Sequence, residues 1–585
     1  MKNSDGVLKS APAAFVFGPF RLDCRRRVLE RDGTALPIYP RAFDALVTLL
    51  ANRDALMSKA NLLDRLWPDS TVGENSLARI VSDLRKLLGD HGDVIVTVPR
   101  QGYRFDGAVQ IEAPTAPSAE ARTVIAVLPF QTIGTEADPL LAFGLSDALI
   151  ARLSQAEALV VRPTTAVAHY QGDAVSLINA GRALEADLVV AGHVRQQGER
   201  LRTTVQVLDV ASGATVWAEQ VDENGADIFR LEDAIAQRVA AAPVLRHLVF
   251  PERIRASDAR AYELYLQARA LISQRTTESL TRAGTLLQES VDRDPRFALG
   301  HSALAETYLL RSLASMVRGS RPAIELMPLA KAAVGEALTI APNLPEALTI
   351  SAFIGFCYDW SFRAAERSIA CALQLAPANS LAHHYYAIGL SAMRRHDEAL
   401  EQIRTARELD PTSTVVNVNV GMILYWAGRF DDACAQLKNV VAINPNSAFA
   451  RFRFGLALDA TGRFDEALAC FDALIAMPES NMHGTVGRGH ALARAGLSRD
   501  ARRDLDRLHA MAGECYVPSS YLAEIHCALG ETDHAMDLLE QTLFERPVMM
   551  ISLLNNPKFR PLADNPRFRR IVGEVGLISL AQPGA

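Results

Sequence analysis

Ala399, Ala433, Ala467, Ala501 and Ala535 stand 34 residues apart, and Gly428, Gly462, Gly496 and Gly530 keep the same step. Gly-Arg-Phe occurs at both 428–430 and 462–464. Small residues recur at Ala387, Gly421, Gly455, Gly489 and Ala523, and prolines close units at Pro342, Pro377, Pro411, Pro445, Pro478 and Pro547. The physical reason for such a pattern is packing. Two antiparallel helices approach closely only where side chains are small, and a proline ends the second helix before the next unit begins. A unit this short cannot bury its apolar face alone, so neighbours must stack into a solenoid.

A 34-residue unit with a small residue at the helix crossing, a turn glycine and a terminal proline is the tetratricopeptide pattern. About eight units fit between Asp258 and Pro547, the second enlarged around residues 311–325. The array is expected over 256–549 and a polar C-terminal cap over 550–585. Ile388, Met422, Tyr425, Phe449 and Phe452 fall at inward positions of the first helices. Two readings stand for them: an apolar concave strip for a peptide or protein partner, or packing between neighbouring units. His383 and His384 are adjacent and so do not share the helix face that metal binding needs.

The rest of the chain follows from its 585 residues, enough for three or four domains of about 150 residues each. No run of 18 uninterrupted apolar residues occurs, and the N-terminal residues lack a long apolar stretch before a cleavage site. A cytoplasmic protein is expected. Cys24, Cys357, Cys371, Cys434, Cys470, Cys515 and Cys527 form no C-x-x-C, which fits reduced thiols instead of a disulfide framework or zinc site. Of the net charge of −6, residues 1–108 contribute about +3, so everything after them sums to −9. Only the N-terminal end carries a positive balance suited to nucleic acid.

Residues 14–108 read as strands, three helices and a hairpin. FVFGPFRLD and RVLERDG-TALP are strands, with Asp32-Gly33 a hairpin turn. Ala42, Phe43, Leu46, Leu49 and Leu50 share one helix face, and Ser58 is an N-cap for a second helix running to Pro68. The third helix spans about Asn75 to Leu88 and stops at Gly89. Its apolar arc is Leu77, Ile80, Val81, Leu84, Leu87 and Leu88; Asn75, Arg79, Ser82 and Lys86 lie opposite, with Asp83 and Arg85 on the flanks. That polar strip is what a helix entering the major groove presents. Arginine reads guanine bidentately and lysine neutralises phosphate. The next hairpin carries Arg100, Gln101 and Arg104 near its tip, a shape suited to a wing in the minor groove. Arg25–Arg27 are a solvated turn or a phosphate contact.

The stretch from PRAFDALVTLL through ENSLARIVSDLRKLLGD to TVPRQGYRF resembles the OmpR/PhoB-type winged-helix domain, closest to the branch in CadC- and HilA-like regulators. The resemblance covers about 95 residues without a gap. It implies sequence-specific promoter binding, often to tandem sites, through the third helix and the wing, with loop 68–74 a contact to RNA polymerase. Neither a receiver domain before it nor a membrane helix after it is seen, and Asp83 stands where relatives often carry a basic residue.

After a Pro/Ala-rich linker at 109–122, residues 123–250 alternate strands and helices as an α/β domain. IAVLPF, GLSDALIARLSQ, GRALEADLVVAGHV and GATVWAEQ resemble the N-terminal domain of TolB-like proteins, which implies no catalytic residues. No phosphate-binding glycine loop, dinucleotide fingerprint or nucleophile elbow occurs. His193 is a ligand-site residue or a satisfied structural histidine. The expectation is therefore a multidomain regulator: a winged helix-turn-helix, an α/β middle domain and an all-α tetratricopeptide solenoid. No catalytic group, cofactor or metal is expected. Partners are double-stranded DNA, RNA polymerase and a protein or peptide in the array, with self-association left open. The rival is a repeat scaffold or signalling subunit whose winged helix makes protein contacts, kept open by the modest N-terminal charge.

Overall fold

The computed structural model describes residues 14–577 except 24–27, 32–33, 37–39, 54–55, 67–73, 100, 108, 113–122, 135–136, 155, 157–158, 171–175, 199, 225–227, 241, 243–244, 246–255, 314–320 and 478–480. The chain divides into two compact units, Met1–Ala121 and Arg122–Ala585. The Asp32-Gly33 turn, Arg25–Arg27 and the loop expected to meet polymerase lie outside the described residues.

In the first unit, β1 (Ala14–Phe17), β2 (Phe20–Asp23), β3 (Val28–Arg31) and β4 (Thr34–Leu36) form an antiparallel meander. Alternation sends Phe15, Phe17, Phe20, Leu22 and Leu29 inward, all essentially buried. Next come α1 (Pro40–Ala51), β5 (Met57–Ser58), α2 (Lys59–Leu66), α3 (Glu74–Leu88), β6 (Ile95–Val98) and β7 (Gly102–Phe105). Ser58 Oγ accepts the amide of Asn61 at 3.2 Å, the capping bond its position at the start of α2 predicts. β8 (Gln110–Glu112) then pairs antiparallel with β1. Three residues expected in the linker thus close the meander as its fifth strand, because Ile111 sits opposite Phe15 in the register. One core holds the unit together: Leu46, Leu49, Leu50, Leu84, Leu88 and Phe105 meet the sheet aromatics, with Phe17 edge-on to Phe105 at 5.3 Å.

The second unit begins with a mixed sheet. β9 (Thr123–Val127), β10 (Gln131–Ile133), β11 (Leu159–Val161) and β12 (Leu188–Gln197) run parallel, and β13 (Arg200–Asp209) and β14 (Thr215–Asn224) complete an antiparallel half. The order is β11-β9-β12-β13-β14, with β10 also on β12. The Ser212-Gly213 turn joins β13 to β14, and Gly213 takes φ +71°, which favours glycine. Helices α4 (Pro139–Leu153), α5 (Thr164–Val167), α6 (Leu177–Ala183) and α7 (Ile228–Ala240) accompany the sheet.

Eight helix hairpins follow. They are α8 (Ala259–Gln274) with α9 (Thr277–Arg293), α10 (Ala298–Leu313) with α11 (Ala323–Ile340), and α12 (Pro345–Cys357) with α13 (Phe362–Leu375). The regular 34-residue stretch gives α14 (Ser380–Ala392), α15 (His396–Leu409), α16 (Thr414–Trp426), α17 (Phe430–Ile443), α18 (Ala448–Ala460) and α19 (Phe464–Ile475). The last two pairs are α20 (Asn481–Arg494), α21 (Ser498–Ala512), α22 (Ser519–Ala528) and α23 (Thr532–Glu545). The small residues do what the period implies. A Cβ on Gly421 would lie 2.5 Å from Leu437 and one on Gly455 2.6 Å from Phe471, so paired helices touch through side chains that only glycine admits. Ala399, Ala433, Ala467, Ala501 and Ala535 are fully buried.

The C-terminal segment, expected to be a polar cap, is apolar inside. Phe559, Leu562, Phe568, Ile571, Val572 and Leu577 are buried, and its α24 (Pro566–Glu574) shows only its outer face to water. No helix among the described residues is long and apolar enough to cross a membrane.

Candidate nucleic-acid interface

Helix α3 buries Leu77, Val81, Leu84 and Leu88 at no more than 2% exposure, which fixes its rotation about its own axis. Arg79, Ser82 and Lys86 are exposed on the opposite side, three or four residues apart and therefore on one face. Asp83 is exposed beside them. Asn75 belongs to the first turn, but its side chain lies outside what is described.

Arg85, expected among the DNA-contacting residues, is engaged within the domain. Its guanidinium turns back to the wing, where Nε donates to the Ile95 carbonyl at 3.0 Å and Nη2 to the same carbonyl and to Thr97 Oγ1 at 2.8 Å. Placement on the flank of the helix wheel did not reveal this, because the partners lie ten and twelve residues away on β6. Arg85 is a brace that sets the angle between α3 and the wing.

The wing is a sheet of order β5-β7-β6. A Cβ at Gly102 would fall 2.0 Å from the Met57 carbonyl oxygen, so only glycine lets β7 pass this close to β5. The tip is tied to the helical core: the Lys59 amide donates to the Gln101 carbonyl at 3.3 Å, and the Gln101 amide to the Val98 carbonyl at 3.1 Å. Gln101 is exposed there, whereas Arg100 lies outside the described residues. Arg104, expected to serve the wing in the minor groove, is engaged by Asp106 at 2.5 Å, an ion pair that holds its guanidinium proton more firmly. Both partners are roughly half exposed, so phosphate can compete for the arginine.

The array residues singled out from sequence separate into two groups. Ile388, Met422 and Phe449 line a cavity of about 1850 Å³. Tyr425 and Phe452 instead pack within the helix layers, Tyr425 against Phe430 at 5.6 Å and Phe452 against His483 at 5.0 Å. His193 is exposed on β12, so it is not a buried structural histidine. His383 bonds to Gln402 Oε1 and the Pro377 carbonyl, and His384 to Asn419. Six of the seven cysteines are described, and all six are free. His526, Glu531 and His534 bring three ligand atoms within 4.8 Å, although Glu531 is already shared with Arg502.

Residues 33–105 match the family described as transcriptional regulatory protein, C terminal, and residues 121–238 the second domain of HilA/YgeH-like transcriptional regulators. Residues 424–478 match a tetratricopeptide repeat. The chain is thus a DNA-binding transcriptional regulator of the OmpR/PhoB winged-helix type. The transcriptional regulator HilA of Salmonella typhimurium is 28% identical over 425 residues, covering 70% of this chain and 73% of that protein. The transcriptional regulatory protein CutR of Streptomyces coelicolor is 38% identical over 86 residues, 14% of this chain and 39% of its own. A putative adenylate cyclase 3 of Rhizobium meliloti is 29% identical over 200 residues, about a third of each chain.

Proposed function

We propose that Arg79, Ser82 and Lys86 of α3 read the major groove and that Gln101, with Arg100, serves the wing. The observation that carries this is the exposure of Arg79, Ser82 and Lys86 on one face while the opposite face is buried. Arg79 and Ser82 contact bases, Lys86 a phosphate, and Asp83 disfavours an approach close to the backbone. Arg104 reaches phosphate only by exchanging Asp106 for it. Asn75 joins the base contacts from the first turn, and loop 68–74 meets RNA polymerase.

The reading extends to the rest of the chain as the receiving part of the regulator: the middle domain and array bind a signal or partner and perform no catalysis. The protein acts in the cytoplasm. Its domains are the winged helix at 14–112, the middle domain from 123, the array from 256 and the cap after 547. The test is selection of bound sites from a random double-stranded library, with the full chain and with residues 1–121, which have their own core. A shared motif is expected. Arg79→Ala and Ser82→Ala should blur single positions of it, each at ~1–3 kcal/mol of discrimination. No enriched motif with either protein would favour the scaffold reading instead.

A further inference from the structure

Two other parts of the same unit reach the array close to its inner face. On one side the middle domain docks. Arg162, buried, donates from Nη1 to the carbonyls of Glu408 and Leu409 at 2.9 and 3.2 Å, capping the C-terminus of α15. Thr165 Oγ1 donates to Asp410 at 2.8 Å, and Gly144 of α4 would clash with the Leu266 backbone if it carried a Cβ. On the other side the C-terminal segment returns. Asn555 Nδ2 donates to the Ser391 and Ala392 carbonyls at 2.7 and 3.2 Å, and the Arg546 guanidinium lies 4.5 Å over the Trp360 ring. Residues of both, Thr165 and Ile551 among them, line the 1850 Å³ cavity.

Its lining has an uneven charge arrangement. Asp147 and Glu306 are both held by Arg269, at 2.8 and 2.7 Å, and Asp410 accepts from Thr165. Three lining arginines, Arg275, Arg407 and Arg453, have no ion-pair partner among the described residues, and of these Arg453 alone stands on buried aromatic rings. Arg453 stands over the rings of Phe449 and Phe452 at 5.4 and 5.7 Å, and its Nε is buried without an acceptor. Tyr385, Asn419, Arg453 and Tyr521 occupy one position in the repeat, at steps of 34, 34 and twice 34 residues. They form a polar line on the wall that also carries Phe353, Met422 and Phe449. Asn419 gives its amide N–H to His384, which leaves its buried Oδ1 without a donor. An arginine held on aromatic rings with no carboxylate, in a cavity of this size, lacks an anion.

We propose that this chamber binds a small amphipathic carboxylate: an aromatic or apolar body against Met422, Phe353 and Phe449, with its anionic group on Arg453. This rests on reading the repeat region as the receiving part of the regulator, and it names the chemistry received. Arg453 is the one guanidinium among the four side chains of the polar line, so one anionic group is placed there.

The test uses the full chain and 1-anilinonaphthalene-8-sulfonate as a fluorescent occupant, displaced by 2-naphthoate or by its neutral counterpart 2-naphthamide. One displaceable probe per chain is expected, with naphthoate at least about tenfold better than naphthamide. Arg453→Gln should erase that preference and leave naphthamide unchanged, and Met422→Trp should weaken both. Equal competition by the two compounds on the native chain overturns the proposal whether or not the variants fold. So does displacement of the probe by acidic nonapeptides but not by naphthoate. Binding is read without DNA, so its failure leaves the winged-helix reading standing. Saturating naphthoate that binds yet leaves operator affinity unaltered would instead remove the receiving role.

Discussion

The two units solve the problem of stability in different ways. The winged helix gathers eight strands in two sheets and three helices around one core, to which Phe17, Leu46, Leu84 and Phe105 all belong. The array has no such centre: its buried alanines and glycines repeat along the chain, and each hairpin leans on the next. A compact core is lost all at once, whereas a stack distributes damage. The first arrangement suits a surface that must hold α3 and a wing in fixed relation. The second suits a wall that encloses volume.

The largest test of this contrast is Leu84→Ala, which removes a fully buried side chain from the centre of the first core. It should cost ~2–5 kcal/mol and abolish site-specific DNA binding while the array's calorimetric transition stays put. A single transition that moves as a whole would show the units to be one cooperative body. Ala467→Leu is the mirror image. Overpacking a position with no exposed surface should cost ~1–3 kcal/mol, lower only the array transition and spare operator binding; Ala467→Ser should be milder.

Arg85→Met sharpens the comparison within the first unit. Removing a half-exposed brace between α3 and β6 should cost about 1 kcal/mol of stability and weaken binding to every sequence alike. Arg79→Ala should alter preference at one base pair with the melting curve unchanged. If Arg85→Met changed the motif and not the overall affinity, Arg85 would be a base contact after all.

The smallest effect is one of pH. Burial, with a lesser push from Arg275, drives the His384 imidazole down to about 3. The unfolded chain therefore takes up the proton first as pH falls. This contribution to array stability is intact above about pH 6.5 and declines from there towards pH 3. At pH 5.5 the loss should be about 1 kcal/mol, seen as a lower array melting temperature that His384→Asn flattens. The first unit's melting should not share that slope.

How much of this was legible in the sequence follows from the range of each interaction. The array announced itself because its contacts repeat at a fixed step, so the turn glycines and crossing alanines appear as a pattern. The buried face of α3 was legible for the same reason, with Leu77, Val81, Leu84 and Leu88 returning at helical spacing. The bond from Arg85 to Ile95 was not legible, because a helix wheel cannot see a carbonyl on another element. The return of Gln110–Glu112 to β1 was hidden by a Pro- and Ala-rich neighbourhood that reads as linker. The chamber was out of reach, since the bonds that bring its parts together join residues 246 and 164 positions apart and recur nowhere. For Tyr425 and Phe452 both readings stayed open, because period alone does not tell a lumen from the seam between layers.

The bond from Asn555 to the carbonyls at 391–392 has a consequence for how this molecule can change over generations. An open stack can gain or lose a unit by duplication or deletion, because its free end simply moves along by one step. Here the end is fastened to an earlier turn of the superhelix, and an added hairpin would carry Asn555 and Arg546 away from their anchors. The number of units between the anchors is therefore frozen. Variation in this lineage is expected as substitutions on the wall, or as insertions like that between α10 and α11, and not as a change in repeat number.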